Sequence, residues 1–107
     1  MSNEKALGLL GLCARAGRLL SGEQACDQAV KKQSAYLILI DESASFNTRK
    51  GMTDACAYYQ VPARFLPAAS LGAAIGRPGR MVCAVTDRKL AERLMQLLPE
   101  KPLENID

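Results

Sequence analysis

Tyr36-Leu37-Ile38-Leu39-Ile40-Asp41-Glu42 is an unbroken apolar run closed by two acids. Consecutive apolar residues without alternation leave no polar face for water, which is the pattern of a central strand covered on both sides. A second run of this kind, Met81-Val82-Cys83-Ala84-Val85, closes on Thr86-Asp87. Two doubly buried strands in a chain of 107 residues require helices on both faces of one small sheet.

The flanking segments supply those helices. Upstream, Ala6, Leu9, Leu10 and Cys13 fall at i, i+3, i+4 and i+7 behind Ser2 or Asn3 as cap, giving a first helix that ends near Gly17. Arg18-Leu19-Leu20-Ser21 reads as a short extended segment. Ser21 or Gly22 then opens a second helix over 23–32, with Ala25, Cys26, Ala29 and Val30 as its apolar stripe. Beyond the first apolar run, Ser43 or Ser45 caps a third helix that turns Met52, Ala55, Cys56 and Tyr59 inward and stops before Val61-Pro62. Ala63 to Leu66 is a strand, Pro67-Ala68-Ala69 a loop, and Ser70 the expected cap of a short helix ending at Gly76. Arg77-Pro78-Gly79 is a turn. Thr86-Asp87 caps a last helix with Leu90, Leu94 and Leu97 in line, stopped by Pro99 and Pro102. Five short helices alternating with four short strands make one α/β domain over 1–98, followed by a short tail over 99–107 that is expected to be mobile.

Composition narrows the function. There is no histidine, and Cys13, Cys26, Cys56 and Cys83 form no Cys-x-x-Cys pair. The usual zinc spacings and every histidine-based mechanism are therefore excluded, and the four cysteines, each inside an apolar stretch, read as reduced core thiols. Neither Gly-x-Ser-x-Gly nor a phosphate-loop pattern occurs. Gly8-Leu9-Leu10-Gly11 lies inside the first helix with no strand before it. Asp41 and Thr86 at strand ends bear a weak likeness to a phospho-acceptor receiver, but the chain begins with a helix and lacks that architecture's paired acids. Asp41, Glu42 and Asp87 are read as helix caps or water-facing groups. No enzyme activity, metal or cofactor is expected. No apolar stretch reaches the roughly 20 residues of a membrane span, no export pattern stands at the start, and a cytoplasmic protein is expected.

Charge is more informative by position than in total. The net charge is +3, but Glu100, Glu104 and Asp107 stand against Lys101 in the tail, so the body carries +5. A mildly basic body permits a phosphate-rich partner without requiring one. The segment Arg15-Ala16-Gly17-Arg18-Leu19-Leu20-Ser21-Gly22-Glu23-Gln24 combines arginines with a glycine-started helix. There the backbone can come close to a polar or anionic partner.

The blocks around these features resemble one family. Leu7-Gly8-Leu9-Leu10-Gly11-Leu12 followed by Ala14-Arg15-Ala16-Gly17-Arg18-Leu19-Leu20-Ser21-Gly22 is similar to the opening of the small bacterial YlxQ-like proteins, a branch of the ribosomal protein L-seven-Ae / L-thirty-e superfamily. Leu37 to Ser45, Asn47-Thr48, Thr53-Asp54, Tyr58-Tyr59, Leu71 to Gly76 and Val82 to Asp87 agree in order and spacing. The resemblance implies a three-layer α-β-α sandwich with a four-stranded mixed sheet. It also implies binding of structured RNA, usually the kink-turn, a bulge beside tandem sheared G·A pairs.

By the same resemblance the RNA would meet Gly22, Glu23, Gln24, Gln28 and Lys32 at the second helix. Leu66, Pro67, Ala68 and Ala69 would form an apolar flap over flipped-out bases, with Asp41 and Glu42 at the neighbouring strand end. Arg15, Arg18, Lys31 and Lys32 would supply the phosphate contacts. Where kink-turn binders carry Gly-x-Asn-Glu and then Lys three residues on, this chain has Gly22-Glu23-Gln24-Ala25 and then Gln28. The implied protein is a monomer whose RNA is structured, ribosomal RNA included, with ribosomal or RNA-processing proteins as further partners. A second reading is a protein-interaction module within such a complex, using the acidic tail or the third helix.

Overall fold

The computed structural model describes residues 2–98. Its elements run α1 (Ser2–Arg15), β1 (Leu19–Ser21), α2 (Glu23–Lys31), β2 (Leu37–Asp41), α3 (Phe46–Tyr59), β3 (Ala63–Leu66), α4 (Ser70–Ile75), β4 (Val82–Val85) and α5 (Arg88–Leu97). The strands form one mixed sheet in the order β1-β4-β2-β3. β4 runs antiparallel to both β1 and β2, and β3 lies parallel to β2. The two apolar runs are thus the two inner strands, and every residue of both is buried.

Alternation along these strands divides the core in two. Leu37, Leu39, Cys83 and Val85 pack with Leu10, Leu71 and Leu94 under α1, α4 and α5. Ile38, Ile40, Val82 and Ala84 pack with Cys26, Val30, Met52 and Cys56 under α2 and α3. Successive side chains on a strand point to opposite faces, so a continuous apolar run feeds both layers. All four cysteines are buried and free. Burial pushes the Cys26 thiol up to about 12 and that of Cys56 to about 11, and it also raises Cys13 and Cys83, so all four stay protonated at neutral pH.

Four expectations are corrected. Asp41 does not follow β2 but ends it, and it is fully buried, because its carboxylate is supplied with hydrogen-bond donors from two loops. Ser70 is not the cap of α4. Ala69 holds that position at φ 65°, while Ser70 Oγ donates to the carbonyl of Pro67 at 2.6 Å. Leu66 belongs to the core beneath α1 and α4 rather than to the surface, since it is the last paired residue of β3 opposite Asp41. Tyr36 and Met81 fall just outside their strands. Of the alternative caps, Ser45 accepts from the N–H of Thr48 and Asp87 from that of Leu90. The tail over 99–107 lies outside the described residues.

The turn after α4 is seated on Gly72. A Cβ there would stand 2.7 Å from the Arg77 carbonyl oxygen and 3.1 Å from the Gly79 nitrogen, both backbone atoms that cannot swing away. Gly72→Ala should therefore cost about 1–3 kcal/mol, roughly 4–8 °C of Tm per kcal/mol. Gly8→Ala, on a helix surface with nothing within 4 Å, should stabilise by up to about 1 kcal/mol. Thermal melts of the two variants with opposite signs are the expected outcome.

Candidate nucleic-acid interface

The strand directions gather four connections at one end of the sheet. β1, β2 and β3 finish there and β4 begins there. Gly22 N–H donates to the Val82 carbonyl at 3.0 Å, Asp41 N–H to Met81 at 2.8 Å and Glu42 N–H to Leu66 at 2.9 Å. The β1–α2 junction, the α4–β4 turn, the β2–α3 loop and the β3–α4 loop therefore follow one another across that end of the sheet, although their residues are spread from Ser21 to Met81 in the chain.

Asp41 locks two of these loops together. Its Oδ1 accepts from the N–H and hydroxyl of Ser43, at 2.9 and 2.5 Å, and from the N–H of Ala69 at 2.9 Å. Its Oδ2 accepts from the N–H of Leu71 at 3.1 Å. Burial alone would push this carboxyl up; the Ser43 hydroxyl and the N–H groups of Ser43, Ala69 and Leu71 outweigh it and hold it below its ordinary range. Asp41 thus does the capping that Ala69, with no polar side chain, cannot do for α4. The left-handed backbone of Ala69 is held from beneath, and Pro67, Ala68 and Ala69 remain at the surface above it.

At the next junction, Gly22 has φ 101° and ψ 146°, a region that residues with a Cβ rarely enter. No side chain caps α2, and its first turn carries the exposed Glu23 and Gln24. Glu23 accepts from Thr48 Oγ1 at 3.2 Å, and Thr48 in turn accepts from Ser45 Oγ at 3.1 Å. That chain ties the first turns of α2 and α3 and fixes where the Glu23 carboxylate sits, its negative charge remaining. Glu42 is exposed on the β2–α3 loop beside them.

The remaining expected residues lie farther off. Gln28 is exposed about one and a half turns down α2. Lys31 and Lys32, at the far end of α2, stand roughly 13 Å from Gly22 at 1.5 Å per residue, and Arg18, before β1, is at a similar distance. Lys31 is held by Asp27 at 2.9 Å. Arg15 is exposed at the end of α1 and reaches back over Gly11.

The sequence reading missed Arg80. Its guanidinium lies over Gly22, where an added Cβ would sit 2.4 Å from Nη1. With Gly79, Met81, Glu23 and Thr48 it lines a small hollow of about 200 Å³ at the loop cluster. Arg77-Pro78-Gly79 was legible only as a turn; its place beside Gly22 follows from β4 being antiparallel to β1, which residue spacing does not encode. Among the described residues no group of acids and thiols is arranged to hold a metal ion, and no helix is long and apolar enough to cross a membrane.

Comparison with known proteins places the fold in a family. The model of the ribosomal protein L7Ae/L30e/S12e/Gadd45 family matches residues 4–95. The chain is 42% identical over 99 residues to the RNA-binding protein YlxQ of Bacillus subtilis (strain 168), covering 92% of this chain and 99% of that protein. It is 32% identical over 98 residues to the RNA-binding protein YlxQ of Enterococcus faecium, covering 91% and 94%. A solved structure from Bacillus halodurans, of a protein described as having unknown function, superposes with a TM-score of 0.83 at 37% identity, covering 87% of this chain and 95% of that one. The Giardia lamblia 15.5kD RNA binding protein shares the fold, with a TM-score of 0.76 at 20% identity over 90% and 83% of the two chains.

The Asp41 carboxylate gives a pH test. Its folded pKa is depressed below 3.8, so its contribution to stability is complete above the unfolded value and is lost as pH falls through the folded one. Asp41→Asn turns an amide donor toward one of the loop N–H groups and should cost about 2–4 kcal/mol at pH 7. Thermal melts should show the gap between the two proteins closing below about pH 4. A constant gap down to pH 2 would remove the carboxylate from this role.

Proposed function

We propose that this chain, which belongs to the ribosomal protein L7Ae/L30e/S12e/Gadd45 family, is a non-catalytic RNA-binding protein that takes structured RNA at the loop end of its sheet. The observation that carries this reading is that the uncapped, glycine-started α2 and the Pro67-Ala68-Ala69 surface both open on the same end of the sheet. Its relatives named as RNA-binding proteins support the same function.

The physical logic is that of irregular RNA. A-form helices hide their major-groove edges, so proteins read bulges, kinks and unstacked bases. A helix N-terminus offers backbone N–H groups to base edges and phosphates, and a small apolar surface can cover a base that has left its stack. Gly22 admits close approach, Gln24 offers an amide, and Pro67, Ala68 and Ala69 supply the cover. Arg15, Arg18, Lys31 and Lys32 form the outer electrostatic ring, with Lys31 discounted by its pairing to Asp27. Ala25 and Gln28 stand where kink-turn binders carry Glu and Lys, so the preferred RNA is a bulged or kinked motif related to the kink-turn, ribosomal RNA among the candidates. A cytoplasmic monomer joining a ribosomal or RNA-processing complex is the setting this reading implies.

Fluorescence anisotropy with a labelled kink-turn RNA, and with a control whose sheared G·A pairs are made Watson–Crick, tests it. The wild type should prefer the kinked RNA. Placing two carboxylates in the site, Gln24→Glu with Ala68→Glu, should weaken binding about 30-fold, at about 1 kcal/mol for each charge near a phosphate, while the thermal melt stays put. Equal, salt-insensitive signals for both RNAs and for the variant would refute the assignment.

A further inference from the structure

Beside the loop cluster, on the α1 side of the sheet edge, runs an open groove of about 420 Å³ lined by Arg15, Leu20, Ser21, Ile75, Arg77 and Arg80, among others. No acidic residue lines it, although the chain carries 11 Asp and Glu. None of the three guanidinium groups makes an ion pair or side-chain hydrogen bond among the described residues; the ion pairs there are Lys31–Asp27 and Lys50–Asp54.

The arginines are fixed in place by the fold. Arg77 and Arg80 flank a tight turn with Pro78 and Gly79 at its centre, Gly79 at φ 92°, and the Arg80 N–H donates back to the Arg77 carbonyl at 3.2 Å. The Arg77 N–H donates to the Gly72 carbonyl at 2.8 Å, which clamps the turn to α4. Arg80 lines both this groove and the small hollow at Gly22, so the two are continuous through one side chain. Leu20, 42% exposed on the edge strand, gives the wall an apolar strip between charges.

We infer that this groove seats the sugar–phosphate backbone of the RNA strand as it leaves the loop cluster, with Arg15, Arg77 and Arg80 contacting successive phosphates. The inference rests on the RNA reading above and extends its footprint to a surface on the opposite side of β1 from α2. Arginine suits this task because its planar fork meets two phosphate oxygens at once. Leu20 offers a ribose or base edge an apolar contact. Such contacts carry affinity and position but no sequence information. The groove would therefore strengthen binding of any RNA presented at the cluster without changing which RNA is preferred.

The same two RNAs, titrated between 50 and 200 mM KCl, test the proposal with Arg77→Gln/Arg80→Gln and with Arg15→Gln/Arg77→Gln. The second pair leaves Arg80 on Gly22 and alters only exposed side chains, so it keeps the test valid if the first pair disturbs folding. Each pair should weaken both RNAs by the same factor, about tenfold at 0.1 M salt, and flatten the log–log salt slope by about 1.5. The preference for the kinked RNA should be unchanged. Unaltered slopes in both pairs, with Gln24→Glu/Ala68→Glu still weakening binding about 30-fold, would overturn the groove and leave the RNA reading standing. A changed preference at an unchanged slope would make Arg80 a positioning residue for Gly22 and also overturn it. Absence of binding by the wild type would overturn both.

Discussion

The buried carboxylate of Asp41 is the constraint on which the surface of this protein depends. An acid at the end of a central strand, cut off from water, is tolerated only if donors surround it. Here the donors are three backbone N–H groups and a hydroxyl drawn from two loops that are 26 or more residues apart in sequence. The loops must close over the carboxylate for it to be satisfied, and in doing so they bring the β3–α4 connection against the β2–α3 connection. A short α4 with no capping side chain of its own and an alanine in the left-handed region are consequences of that closure. The strain is held where the surface above is proposed to meet RNA, as strained backbone often is at working sites.

From that point the rest of the arrangement is topological. An antiparallel β4 between β1 and β2 places its first residue, Val82, opposite Gly22 where β1 ends, and the Arg80 side chain two residues earlier reaches over that glycine. The sheet end then collects a helix N-terminus, an apolar loop and a rigid arginine turn within a single face. None of these is a specific reader alone. Their combination has the mixture of backbone donors, apolar cover and positive charge that an irregular RNA requires.

Much of the fold was legible in the chain because burial on both faces leaves an unmistakable mark: Leu37 to Ile40 and Val82 to Val85 have no room for a polar residue. Helix stripes such as Cys26, Ala29 and Val30 were equally plain. The site was legible only in part. Gly22 and Gln24 stand out through the resemblance; in the fold Gly22 is half-buried and Gln24 exposed. For Asp41 the helix-cap alternative held and the water-facing one did not, but nothing local reveals that the helix it caps is α4, through the N–H groups of Ala69 and Leu71. Leu66 misled, since an apolar residue beside a loop can belong to the flap or to the core, and strand pairing with Asp41 decides for the core. Arg77 and Arg80 carried no motif, and their meaning comes from the antiparallel neighbour.

The proposed RNA contact lies at the end of the sheet where β2 and β3 finish. The most direct measurement is a backbone-amide NMR titration of the isotopically labelled protein with the kink-turn RNA. The largest shifts should fall on Glu23, Gln24, Ala68, Ala69 and the Arg77–Arg80 turn, with the far-end amides of Tyr36 and Arg88 unmoved. Shifts centred instead on the exposed face of α3, around Phe46 and Tyr58, would contradict it.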